Sequence, residues 1–269
     1  MSAATLAAGF NAPSPRDFEL PGIARVGDIF HGGHQYLVDK PTVLLVCSAI
    51  LIFAVFYAAA RREAIVPGKL AFVGEQAYGF VRNSVARDII GSKDFARYVP
   101  YLFALFYFVL VNNLFGMVPI IQFSTISHVG FAYGLAAMSW ILYNGVGIRR
   151  HGFGSYLKRQ CIPTGVSKVI LPLIMPLEFL SNIVVRPITL SLRLFANMFA
   201  GHLLIILFSM GGAYLLLHSS HALYKPVGIL AFLLGIAVGF LEIIVQVLQA
   251  YVFALLTATY IAGAVTDSH

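Results

Sequence analysis

Apolar residues run along this chain in blocks that are too long and too poor in charge for a water-soluble fold. Residues 41–60, PTVLLVCSAILIFAVFYAAA, are uncharged and end at Arg61-Arg62. That is the length of one hydrocarbon crossing followed by a stop signal. Residues 98–121 and 126–147 predict two further crossings around the polar turn QFSTISH, with His128 exposed in that turn. Between the first crossing and this pair, Leu70, Val73, Ala77, Val81, Val85 and Ile89 recur at three- and four-residue spacing, and Lys69, Glu75, Arg82 and Arg87 take other faces. Such a helix over 66–92 lies in the membrane interface or packs its apolar stripe on a protein partner.

The last hundred residues carry the longest blocks. From 166 to 217 the charged residues are Lys168, Glu178, Arg186 and Arg193, and from 226 to 266 there is Glu242 alone. As helices these stretches would measure about 78 Å and about 61 Å, against a hydrocarbon core of about 30 Å. Each is therefore either two short crossings with a turn or one long, steeply tilted helix. Residues 188–200 contain neither Pro nor Gly, and Leu192, Leu194, Phe195, Ala196 and Met198 tolerate a helix. With Pro172, Pro176 and Pro187 all upstream of Arg193, the long helix is the better expectation.

Composition agrees: 59% of the 269 residues are apolar and 11% charged, with a mean hydropathy of +0.85. A soluble domain is closer to one quarter charged. The net charge of +7 does not point to nucleic acid, because twelve of the eighteen basic residues sit in two connections, 61–99 and 148–168. That distribution marks both as cytoplasmic. No secretory signal is evident in the first fifteen residues, and Cys47 and Cys161 have no partner at metal-ligand spacing, so no metal or cofactor is expected.

The chemistry lies in a few polar positions inside the apolar blocks. At 100° per residue, Asn182, Arg186 and Asn197 fall within about 40° of Arg193, and His202 lies half a turn round. Glu242, Gln246 and Gln249 are spaced four and three and share a face of the last helix. His202 and Glu242 stand about equally far from a turn near residue 220, so a hairpin can bring them level. Arg193 does not deprotonate and can only hold a partner carboxylate ionised, whereas His202 and Glu242 can titrate. Glu178 is the one carboxylate on its own helix, so the partner of Arg193 is expected from another subunit. Gly235-x-x-x-Gly239 reads as close helix packing.

LSLRLFANMFAGHLL followed by LEIIVQVLQAYVFALLTATYIAG resembles subunit a of the rotary F-type ATP synthase, the membrane stator that faces the c-ring. NNLFGMVP (112–119), HGFGSYLK (151–158) and VPGKLAFVGE (66–75) extend the likeness over most of 66–266. The resemblance implies an Arg193 that attracts the ionised carboxylate of a c subunit, and a proton half-channel bordered by Asn197, His202, Glu242 and Gln249. It also implies Glu178 near the cytoplasmic exit, while Arg186 and Gln246 are stripe residues by helical spacing alone. Some bacterial members carry the carboxylate on the earlier helix and the imidazole on the later one. Here they are exchanged, which suggests that the two touch.

The fold expected is all-α and polytopic, with about five membrane helices, an interfacial amphipathic helix and a final tilted hairpin. Its parts are an extracytoplasmic segment (1–40), a first crossing (41–60), the interfacial helix (61–97), a transmembrane hairpin (98–147), a basic cytoplasmic loop (148–165) and the tilted hairpin (166–266). The function expected is that of a non-catalytic proton-channel stator in a bacterial plasma membrane, N-terminus outside and C-terminus cytoplasmic. Its partners would be the c-ring, b-type peripheral stalk subunits and membrane lipid. The sequence holds no Gly-rich phosphate loop for ATP chemistry. A secondary transporter with its own substrate site would favour internal repeats, which residues 41–147 and 166–266 do not show. A purely structural anchor would not need Arg193.

Overall fold

The computed structural model describes residues 24–26, 36–38, 40–61, 68–118, 129–162, 170–217 and 224–266. Two three-residue strands, β1 (Ala24–Val26) and β2 (Tyr36–Val38), pair antiparallel with Ala24 opposite Val38. Every longer element is helical: α1 (Lys40–Ala60), α2 (Lys69–Phe80), α3 (Val99–Phe115), α4 (Val129–His151), α5 (Phe153–Cys161), α6 (Leu171–Phe179), α7 (Arg186–Leu217) and α8 (Lys225–Val265). Apart from the small ribbon, the all-α expectation holds. The predicted turn with His128 and the residues flanking the ribbon lie outside the described residues.

Among the described residues, four helical runs are long and apolar enough to cross a membrane, namely Pro41–Ala60, Val129–His151, Leu173–Leu217 and Lys225–Val265, and α3 is a shorter apolar helix. Large apolar side chains such as Phe53, Ile141, Phe240 and Ile244 are left exposed along them, as a hydrocarbon solvent permits and water does not. The chain is a multi-pass membrane protein. The choice between turns and long helices is settled for the described residues: α8 is continuous over 41 residues, and α6 passes into α7 through a π-helical turn, Leu180–Val185. Pro176 lies inside α6 without ending it.

The chain divides into two compact units, one of Met1–Cys47, Asn112–Ser127 and Ala196–Leu248, the other of Ser48–Val111, His128–Phe195 and Gln249–His269. Within the first, a seam of glycines brings the later part of α7 against the start of α8. A Cβ on Gly212 would stand 3.2 Å from the Gly228 carbonyl oxygen, one on Gly228 2.9 Å from Leu216 Cγ, and one on Gly235 3.2 Å from Phe208 Cβ. Gly239, expected to share in this packing with Gly235, has nothing within 4 Å of its Cβ position. The seam runs at seven-residue spacing through Gly228 and Gly235 to Glu242, so a four-residue step leaves it.

Within the second unit, Phe56, Phe103, Phe106 and Tyr107 form a cluster of edge-to-face and tilted ring pairs with centroids 4.6–4.9 Å apart. Helix α2 continues through a second π-helical turn, Val81–Arg87. The predicted apolar stripe is buried in part: Val81 and Val85 are buried and Leu70 and Val73 are exposed, while Ala71, off that stripe, is buried too. The small residues decide this, since a Cβ on Gly74 would come within 2.8 Å of Ala59 Cβ and the large ones are turned outward. Residues 148–165, expected as a loop, contain helix α5. Gly152 adopts φ +78°, a conformation open to glycine, and turns the chain so that Tyr156 packs on Gly147.

Gly228→Val should overpack the α7–α8 seam and destabilise the detergent-solubilised chain by about 1–3 kcal/mol, read as a fall in Tm of several degrees. Gly239→Val, with open space around it, should leave Tm unchanged. Equal effects would contradict the seam.

Candidate functional site

His202 on α7 and Glu242 on α8 meet, His202 Nδ1 lying 2.9 Å from Glu242 Oε1. Both side chains are nearly out of solvent, at 11% and 4% exposed. One turn further along α8, Gln246 Nε2 donates to the same carboxylate oxygen at 3.2 Å. Asn113, near the end of α3, donates its amide N–H to the Gln246 backbone carbonyl at 3.2 Å. The result is a connected chain from Asn113 through Gln246 to the His–Glu pair. Gly201 makes room for it, because a Cβ there would stand 2.7 Å from Glu242 Cδ.

This cluster is rich in acceptors. Asn113 Oδ1, Gln246 Oε1 and Glu242 Oε2 are buried and find no donor among the described residues. An unmet buried acceptor costs about 1–3 kcal/mol, so these three oxygens set the cluster apart from the apolar contacts around it. Asn113 was not foreseen. Asn112 and Asn113 stand out as a polar pair within the apolar run 98–121, and that interruption was the available signal.

Helix α7 carries Arg193 without a break. Leu190, Ser191, Leu194 and Met198 are buried, whereas Arg193, Ala196, Asn197 and Ala200 are exposed. Arg193 makes no hydrogen bond or ion pair with a described residue. Its expected carboxylate is thus not supplied by the described part of this chain. Of the residues placed on its stripe, Asn182 departs: it is buried, and the π-helical turn between it and Arg193 advances less than 100° per residue. Arg186 is half-buried and its guanidinium lies 5.1 Å from the centroid of Tyr260, a cation–π contact. Gln249 is buried like Glu242 and Gln246, as their common face predicts.

Glu178 belongs to a separate network. Asn182 Nδ2 donates to Glu178 Oε2 at 3.0 Å and to the Gln160 carbonyl at 2.8 Å. Gln160 Nε2 donates to the Tyr156 hydroxyl at 2.9 Å, and that hydroxyl donates to Asn144 Oδ1 at 3.0 Å. Trp140 closes the set by donating to the Ile183 carbonyl within the π-helical turn at 2.9 Å. Burial pushes the Tyr156 phenol above its ordinary pKa, which keeps its proton on the oxygen and available to Asn144. Helix α5 thereby anchors the segment bearing Glu178. Reading it as a loop hid Tyr156 and Gln160.

Long apolar helices with an ionisable pair and unmet acceptors buried between two of them define a multi-pass membrane protein with an intramembrane polar centre. The chain belongs to the ATP synthase A chain family, whose pattern matches residues 42–262. It is 58% identical over 264 residues to the ATP synthase subunit a of a Nocardioides species, covering 97% of this chain and 95% of the relative. It is 46% identical over 261 residues to that of Pseudarthrobacter chlorophenolicus, covering 97% and 95%. To the Streptomyces lividans protein of the same name it is 39% identical over 268 residues, covering 97% and 90%. The resemblance carried by LSLRLFANMFAGHLL is borne out.

Gly201→Ala should push the Glu242 carboxyl away from His202. In infrared difference spectra against Glu242→Gln, the Glu242 carboxyl band should shift, with a loss of about 1–3 kcal/mol in stability from overpacking. An unchanged band would contradict the close approach.

Proposed function

We propose that this chain is the proton-channel stator of an F-type ATP synthase, forming two offset half-channels against a ring of c subunits. The observation that carries this reading is the exposed Arg193, permanently charged and without a carboxylate among the described residues. A guanidinium on an apolar helix is favoured where an opposite charge meets it. Exposed Ala196 and Ala200 beside it leave room for a neighbouring helix to come close. That neighbour is a c subunit with an ionised carboxylate.

Protons arrive from outside at the His202–Glu242 pair. The imidazole and carboxylate share a hydrogen bond, so a proton passes between them with little rearrangement. Glu242 Oε2, with no donor of its own, serves the next carrier in the path. Asn197 and Gln249 border that route. Gln246, through its amide and its carbonyl, holds the pair and Asn113 together. After the ring turns, the proton leaves on the cytoplasmic side beside Glu178, with Arg186 on Tyr260 holding positive charge nearby. Arg193 separates the half-channels because a protonated c-subunit carboxyl passing it must first give up its proton.

The basic connections favour an N-terminus outside and a C-terminus in the cytoplasm of a bacterial plasma membrane. ATP chemistry belongs to other subunits, and b-type stalk subunits hold this one against rotation. Arg193→Ala should abolish proton-driven ATP synthesis in membrane vesicles, a loss of at least about 100-fold, while the detached soluble ATPase stays active. Normal coupled synthesis would overturn the proposal.

A further inference from the structure

The second unit holds a cavity of about 550 Å³ between the segment leading into α3 and the last turns of α4. Three arginines line it, Arg97, Arg149 and Arg150, against a single carboxylate, Asp94. Asp94 is engaged by Arg150 at 2.8 Å. Arg97 and Arg149 make no ion pair with any described residue, so the cavity presents two positive groups to whatever fills it. Its other wall is apolar, formed in part by Ile141.

We infer that this cavity binds the headgroup of an anionic phospholipid. The two guanidinium forks match a phosphate diester, which each can engage through paired N–H donors. The apolar wall decides between a lipid and a free anion, since a hydrated phosphate gains nothing from Ile141. Along α4 the exposed side chains change from Met138 and Ile141, 59% and 64% exposed, to Arg149 and Arg150 at the helix end. That is the order of an acyl chain followed by its headgroup, read from hydrocarbon to water. Gly145, exposed and without a side chain to block the passage, lies between them. Tyr98, in the segment leading into α3, also lines the cavity, and amphipathic rings of this kind gather at membrane interfaces. A zwitterionic headgroup fits less well: its ammonium finds only Asp94, already held by Arg150.

The test uses the intact complex in phosphatidylcholine vesicles carrying a trace of photoactivatable phosphatidylglycerol, or of the matching phosphatidylcholine probe. Cross-linked peptides are mapped by mass spectrometry. The phosphatidylglycerol probe should label residues 94–98 and 138–150, and the phosphatidylcholine probe should label them far less. Arg97→Gln with Arg149→Gln should cut that labelling by about tenfold or more while labelling elsewhere is unchanged. Arg97→Lys with Arg149→Lys, which keeps the charge, should retain most of it. Ile141→Trp, on an exposed position that leaves the charges alone, should also reduce labelling by filling the apolar end. Equal labelling by both probes, no labelling by either, or insensitivity to these changes would overturn the assignment. Competition by excess inorganic phosphate at constant ionic strength would reassign the cavity to a free anion.

Discussion

A guanidinium does not lose its proton in a protein, so Arg193 is charged wherever its helix carries it. Placing arginine at the centre of a membrane helix costs about 2.5–3.5 kcal/mol on insertion scales, and a compensating carboxylate within reach offsets that cost. The remaining features of α7 follow. The helix is continuous through the arginine, so the charge is held at a fixed depth and azimuth. Small residues flank it on the exposed side, Ala196 and Ala200, and larger ones are buried behind it, Leu194 and Met198. The proposed contact with a c subunit uses this face.

His202 and Glu242 solve the opposite problem. Here both partners come from one chain, and the hairpin seam fixes their distance. Glycines at 228 and 235 pull α8 onto α7, and the same seven-residue spacing brings Glu242 under Gly201. The pair is hydrogen-bonded yet incompletely satisfied, with Glu242 Oε2, Gln246 Oε1 and Asn113 Oδ1 lacking donors. A fully satisfied pair would only fasten two helices. The proposed proton path draws on that difference, since it needs open acceptors beside a titratable couple.

Much of this was legible in the chain. Long uncharged blocks fix the crossings because hydrocarbon admits few alternatives to a helix, and polar residues inside them stand out by their cost. That logic singled out Arg193, His202 and Glu242, and the absence of Pro or Gly near Arg193 foretold an unbroken helix. It failed where geometry departs from an even 100° step. The π-helical turns at 81–87 and 180–185 shift the faces on either side, which separates Asn182 from Arg193. Small residues also misled: Ala71 is buried and Gly74 lies close against Ala59, while Leu70 and Val73 face outward, a choice that is cheap only in lipid. Helix α5 escaped notice because its nine residues are too short and polar to announce themselves, although Tyr156 and Gln160 on it tie down the segment with Glu178.

The proposed contact with a ring of carboxylate-bearing helices falls on the exposed face around Arg193. With Cys47 and Cys161 replaced, cysteines placed singly at Ala196 and Ala200 can be oxidised in membranes against cysteines flanking the c-subunit carboxylate. Disulfides are expected from both positions, and none from a cysteine at buried Met198. Cross-links absent from Ala196 and Ala200, or equal from Met198, would contradict it.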